Sequence, residues 1–385
     1  MAKQGFRVLD SDIHVSEPRE LWAQYLEPEF RERGPRAIEG DGGLAGLRVM
    51  GKTNGFYELP VRERTARIRA ERSRQRAIAS GRAALTGPAA GGGGDPHNML
   101  AAMDLEGIDV SIVFRTMGAH VIGFDADEGM DGPLAAAICR AYNNWARDYC
   151  AADRRRLLMA AQVPMHDIDE AVKEARRAVE ELGAIALVLP NNPVNSRPWY
   201  AEYYHPFWAE AERLNVPVAF HGIQMARQDH LARRYMENFA LAHAVAHPVE
   251  TMLALGAMLT GGVFERFPGL KAAFLEGHCS WVPWWLYCLD EHEDKFGDKE
   301  RFGLKLKPSD YFRRQCYVSV DPDEELLQYT VQAMGDDNIV ISTDWPHDDS
   351  AYPHALDTFF GLAGVSVETK RKILWDNCAR LYNLE

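Results

Sequence analysis

The stretch LDSDIHVSEP, Leu9 to Pro18, places Asp12, His14 and Glu17 on one short apolar segment near the start of the chain. Asp12 and His14 are two residues apart and so share one side of a strand, with Glu17 just past its end. A buried strand has no reason to carry three such groups unless they meet a partner. Working outward, short runs rich in Val, Ile, Ala and Phe recur, each followed by a stretch with helical spacing: 6–15, 109–116, 157–164, 184–190, 216–222, 270–277, 316–320 and 338–345. Near-continuous apolar runs alternating with helices indicate buried parallel strands with crossover helices, and about eight of them is the count of a (β/α)8 TIM barrel, an α/β fold. Among the helices, DIDEAVKEARRAVEEL (167–182) has apolar residues three and four apart, with Asp167 as N-cap.

A chain of 385 residues with 46% hydrophobic content suits one large domain, 1–385, better than several small ones. Two regions depart from the alternation. Residues 28–97 form an insertion between strands one and two, read as helical because VRERTARIRAERSRQRAIASGR carries Arg62, Arg64, Arg67, Arg69, Arg72, Arg74, Arg76 and Arg82 before the flexible GPAAGGGGDP. In an acidic protein such a run pairs more often with acidic neighbours or a partner subunit than with nucleic acid. After the fifth strand, residues 238–267 suggest two helices, the extra one walling the barrel mouth. The end of the chain, 366–385, is expected to be a helix packed on the barrel.

The formal charge of −13 offers no basic face to nucleic acid or an anionic membrane. No apolar run reaches the roughly 20 residues of a membrane span, and the N-terminus lacks the order of a secretion signal. The six cysteines form no CxxC pair. Reduced, mostly buried thiols and a cytoplasmic location are expected.

In a barrel of this kind, reactive side chains gather where strands end at the C-terminal face. There the chain delivers Asp12, His14 and Glu17 after strand one, His221 after strand five, Glu276 and His278 after strand six, and Asp344, His347 and Asp348 after strand eight. Each has an ordinary reading taken alone; His247, before Pro248, is read as a helix-start residue. Together, several carboxylates buried near one another would cost several kcal/mol each without a cation, so a divalent metal is the simplest explanation. Imidazole and carboxylate donors without thiolate suit Zn, Fe, Mn or Co.

The motifs DSDIHVSEP, VAFHG, GGVFERFPGLKAAFLEG, WVPWWLYCLDEH, ISTDWPH and KRKILWDNCARLYNL resemble those of the amidohydrolase-related family that includes aminocarboxymuconate-semialdehyde decarboxylase. The resemblance runs along nearly the whole chain and implies a metal-dependent barrel whose ion is held by Asp12, His14, His221 and Asp344. Two features differ from those decarboxylases and a third from the binuclear members of the wider group. The first-strand pair is Asp and His, Glu276 stands where their catalytic histidine is expected, and strand four, AIALVLPNN, lacks the bridging lysine of binuclear amidohydrolases.

Two chemistries use these ligands. With one ion (Zn, Fe or Mn), a metal-polarised oxygen or metal-activated water supports decarboxylation or hydrolysis of a small organic, carboxylate-bearing or aromatic substrate. Asp344, Glu276 and His278 are then the proton-transfer candidates. Arg115, at the end of strand two, could clamp a substrate carboxylate or serve an ordinary ion pair. Trp281 and His347 are further substrate-side candidates, although WVPWWLYCLDEH reads equally as an amphipathic helix start. Gln224, Arg227 and His230 are weaker ones. With two ions, Glu17, Glu276 and His278 join the ligands, and the centre would resemble a dinuclear non-haem iron or Mn/Fe oxygenase. A non-catalytic binding protein is the third reading, disfavoured because none of the four core ligand positions is vacant. A homo-oligomer is expected.

Overall fold

The computed structural model describes residues 3–40, 43–53, 71, 75, 78–79, 81, 84–85, 87–116, 122–222, 231–235, 238–299, 302–347 and 349–384. Eight strands form one sheet in sequence order: β1 (Leu9–His14), β2 (Val110–Phe114), β3 (Leu157–Gln162), β4 (Ala186–Pro190), β5 (Val218–His221), β6 (Ala272–Leu275), β7 (Cys316–Val320) and β8 (Ile339–Ile341). All seven successive pairings are parallel. Each strand falls inside one of the eight runs picked out from the sequence. Apolar residues on both faces explain this, since a parallel strand is covered by helices outside and by the barrel filling inside.

Closure is local to the mouth. The His14 N–H donates to the Trp345 carbonyl at 2.7 Å and the Asp344 N–H to the Asp12 carbonyl at 3.1 Å, joining β1 to the segment that leaves β8. The bonds that close the cylinder therefore also bring Asp12, His14 and Asp344 together.

Helices α1 (Pro96–Glu106), α2 (Gly132–Cys150), α3 (Ile168–Glu180) and α4 (His205–Leu214) follow the expected alternation. Asp167 caps α3, its carboxylate accepting from the N–H groups of Asp169 and Glu170 at 3.0 and 3.1 Å. After β5 come α5 (Phe239–Ala244) and α6 (Glu250–Thr260), joined by a π-turn, Val245–Val249. The later helices are α7 (Val282–Phe296), α8 (Pro308–Gln315), α9 (Leu327–Met334) and α10 (Ala355–Gly361). The chain end is α11 (Val367–Arg371), a second π-turn, Lys372–Asp376, and α12 (Asn377–Tyr382). It is tied to the barrel by hydrogen bonds from Asn377 to the Ile339 carbonyl and from Tyr382 to the Ser11 carbonyl.

Side-chain alternation sorts inner from outer residues. On β5, Phe220 lies in the outer layer, stacked on Phe274 of β6 at 5.0 Å and meeting Trp199 edge-on, so the next residue, His221, faces inward. There it stacks on Phe114 of β2 at 5.3 Å.

The insertion is helical at the described residues of its arginine-rich part, 71, 75, 78 and 79, and also holds strands that the sequence reading did not include. Its described part holds a small antiparallel sheet of Arg36–Gly40, Gly43–Val49 and Lys52–Thr53, with Gly40 paired to Gly43. The sequence EGDGGL is a hairpin signal of the Asp-Gly kind, which the weight given to the arginine run obscured. That run's eight arginines lie outside the described residues, as do Gln224, Arg227, His230 and Asp348. All six cysteines are unpaired, five of them buried. Among the described residues no helix is long and apolar enough to cross a membrane.

Candidate metal centre

The ligand atoms of Asp12, His14 and His221 all lie within 4.8 Å of one another, and so do those of His14, Asp344 and His347. His14 belongs to both groups. Its Nε2 is 3.3 Å from Asp12 Oδ1, 3.2 Å from Asp344 Oδ1 and 3.1 Å from His221 Nε2. His221 Nε2 is in turn 3.4 Å from Asp12 Oδ2 and 3.2 Å from Glu276 Oε2.

Hydrogen bonding on the far side of each ring decides what faces the centre. His14 Nδ1 is 2.7 Å from the Arg115 carbonyl and His221 Nδ1 is 3.2 Å from the Gly222 carbonyl. A carbonyl can only accept, so each Nδ1 carries the proton and each neutral ring presents an Nε2 lone pair. His14 is kept neutral by burial and by the nearby His347, which lower its pKa. Two lone pairs facing each other across 3.1 Å repel. Asp12 Oδ1 beside them is buried and has no hydrogen-bond partner among the described residues. Converging acceptors with no donor among them fit a divalent cation.

Around this set, burial followed by the charges of Asp344 and Asp12 pushes the Glu276 carboxyl well above the usual range. His347 sets Nδ1 2.8 Å from Asp344 Oδ1 and Nε2 3.2 Å from Thr116 Oγ1, with its ring 4.2 Å from that of His14. Burial opposes its charge, but Asp344 prevails and the His347 pKa rises to about 9. The backbones of Glu276 and Asp344 both adopt left-handed conformations, φ 53° each, which are costly for residues with a Cβ and cluster at functional sites.

The structure thus gathers Asp12, His14, His221 and Asp344, with Glu276 and His347 against them. Other candidates stand apart. Glu17 is buried and accepts from the Thr116 N–H at 3.1 Å, supporting the end of β2 outside both ligand groups. His278 is half exposed and turned to Asp321, 3.1 Å away, so its placement supports neither a ligand nor a proton-transfer part. Trp281 donates its indole N–H to the Gly277 carbonyl at 2.6 Å and sits at the N-cap of α7, which is the helix-start reading. Arg115, just past the end of β2, is buried, its guanidinium near Tyr142 and Cys139 of α2 and then Glu17 and Asp12. Its part in the site is its backbone carbonyl, which orients His14.

His247 is the residue that sequence reasoning set aside. It is buried in the π-turn with Nδ1 3.5 Å from Glu276 Oε1, between two helices and not at the start of one. The only sequence signal was Pro248 inside a helical pattern. Phe114 and Thr116 were also missed, being ordinary strand-end residues by type.

A barrel whose mouth converges imidazole lone pairs and carboxylates in this way defines a metal-dependent enzyme. The chain belongs to the Amidohydrolase family, whose profile matches residues 10–384. It is 29% identical over 264 residues to gamma-resorcylate decarboxylase of Rhodococcus jostii (strain RHA1), covering 65% of this chain and 78% of that one. An amidohydrolase of Mycobacterium avium subsp. paratuberculosis K-10 superposes with a TM-score of 0.77 at 21% identity, covering 98% and 99% of the two chains. The 5-carboxyvanillate decarboxylase of Novosphingobium aromaticivorans DSM 12444, solved with manganese and 4-hydroxy-3-methoxy-5-nitrobenzoic acid, superposes with a TM-score of 0.71 at 20% identity, covering 99% and 97%.

Proposed function

We propose that this chain is a divalent-metal-dependent decarboxylase of a small hydroxylated aromatic acid, using one manganese ion. The observation that carries the reading is the convergence of His14 Nε2 and His221 Nε2 on the Asp12 carboxylate, whose Oδ1 has no hydrogen-bond partner among the described residues, with the Glu276 carboxyl alongside, its Oε2 3.2 Å from His221 Nε2. When bound by Asp12, His14, His221 and Asp344, the cation supplies positive charge that holds and polarises the oxygens of the acid. Glu276 delivers its proton to the ring carbon as the bond to the carboxylate breaks; that bond's electron pair takes up the proton and CO2 leaves. Solvent then reprotonates Glu276. His347, fixed between Asp344 and Thr116, lines the substrate side, and Phe114 against His221 excludes water from below.

Relatives named as decarboxylases favour this reading over hydrolysis and lend nothing to the dinuclear oxygenase alternative. We further infer one catalytic domain acting as a homo-oligomer in the cytoplasm. Exposed Trp284 and Tyr287 on α7, with Tyr329 on α9 and Leu326 at its N-cap, support the assembly, and the unpaired cysteines support a reducing compartment.

The test is elemental analysis of protein purified without added metal, followed by CO2 release from 2,6-dihydroxybenzoate and 5-carboxyvanillate, with light scattering on the same preparation. One manganese per chain and CO2 release from either acid are expected. Absence of bound metal, or a metal-loaded enzyme inert toward both acids, refutes the reading.

A further inference from the structure

We propose that His247 is a positioning residue that fixes the carboxyl group of Glu276. This rests on the reading of Glu276 as the proton-delivering group. Glu276 is held by its backbone and by the rings around its carboxyl, with His347 Nδ1 4.0 Å from Oε1 as the most distant of them. Its backbone N–H donates to Ser319 Oγ at 2.9 Å, its Oε2 lies 3.2 Å from His221 Nε2, and its Oε1 lies 3.5 Å from His247 Nδ1. A carboxyl rotates about its last torsion through a broad range. The His221 contact sets one oxygen; on the second, His247 Nδ1 at 3.5 Å is the nearer ring nitrogen and His347 Nδ1 at 4.0 Å the farther, so the His247 ring does most to limit rotation of the plane.

The chain is built locally to hold the His247 ring there. A π-turn carries one residue more per turn than the α-helix and re-aims the side chains it contains, and such turns occur often at functional sites. Pro248, next in the turn, has no N–H to donate, while Thr251 Oγ1 donates to the His247 carbonyl at 2.5 Å and Asn191 backs Thr251 at 2.7 Å. On one side the ring lies against Gly222, where a Cβ would come within 2.8 Å of Nδ1 and 3.0 Å of Cε1, so a side chain there would displace the imidazole. On the other side the His243 ring packs at 4.4 Å, itself 3.3 Å from Asp349. Glycine directly after His221 is thus explained by the approach of His247, because Gly222 does not have a positive φ.

Two variants separate the role from a structural one. His247→Ala removes the ring, whereas Gly222→Ala keeps it and pushes it aside. In crystal structures of the manganese-loaded variants, the Glu276 carboxyl is expected to shift by more than about 0.5 Å in both. If the wild type releases CO2, kcat should fall about 10- to 100-fold with KM and manganese content unchanged. His247→Asn, whose amide nitrogen sits near the place of Nδ1, should return the carboxyl to its orientation and most of the kcat. The proposal is overturned if Glu276 keeps its orientation in both variants, if manganese is lost with the ring, or if His247→Asn behaves as His247→Ala. The orientation measurement decides even where neither acid is a substrate, so failure of the decarboxylase reading is read separately.

Discussion

His14 and His221 each give one ring nitrogen to a backbone carbonyl, at Arg115 and Gly222, and the other to the centre. A carbonyl on the far side of a liganding imidazole fixes both tautomer and ring direction. At this scale the prediction is direct. His221→Ala and Asp344→Ala should each lose most bound manganese, read by elemental analysis, with activity lost in parallel. His247→Ala should retain the metal. Full occupancy in both ligand variants would overturn the assignment. The proposed ligands stand out in the sequence because Asp12, His14, His221 and Asp344 are chemically unusual at the ends of apolar runs. Their helpers do not, since Thr116, Phe114 and Gly222 are unremarkable by type and matter only through what they touch.

Among the elements, the strands were read at their places because burial on both faces leaves an unbroken apolar run. In the insertion the arginine-rich part is helical where described, and the charge density there drew attention from a hairpin signal at residues 39–44. Ion pairs join neighbouring helices where hydrophobic spacing alone does not set the contact. Glu210 of α4 lies 2.6 Å from Arg213 and 2.9 Å from Arg176 of α3. The Arg213 hydrogen bond first, and then that of Arg176 against the effect of burial, depress the Glu210 pKa from 4.5 to about 2. A depressed carboxyl stabilises the fold above its unfolded pKa, and the gain disappears as pH falls through the folded value. Glu210→Gln should therefore lower stability at pH 7 by about 1 to 2 kcal/mol, discounted for solvent screening. In thermal melts the gap should close between pH 4.5 and about 2. An unchanged gap across that range would count against the pair. Inside the barrel wall, Asn143 of α2 grips both backbone groups of Gln162 on β3 and reaches Glu174 of α3. No periodicity rule announces such a lock.

For the molecule as a whole, the acceptor-rich mouth couples metal binding to folding, because the unfolded chain holds no such site. A ligand at 100 times its Kd adds about 2.7 kcal/mol of stability. Removing manganese with a chelator should lower Tm, its return should restore it, and His221→Ala should show neither response. The sequence alone determined the alternation of buried strands and helices, the (β/α)8 class and the residues able to bind a cation, because hydrophobic period and donor chemistry are local properties. Tertiary structure decided which candidates meet. The end of β2 buried the Arg115 side chain beside α2, the loop after β6 sent His278 toward Asp321, and a π-turn brought His247 onto Glu276. Those outcomes depend on side-chain direction and backbone bends summed over distant segments, which no single stretch of sequence contains.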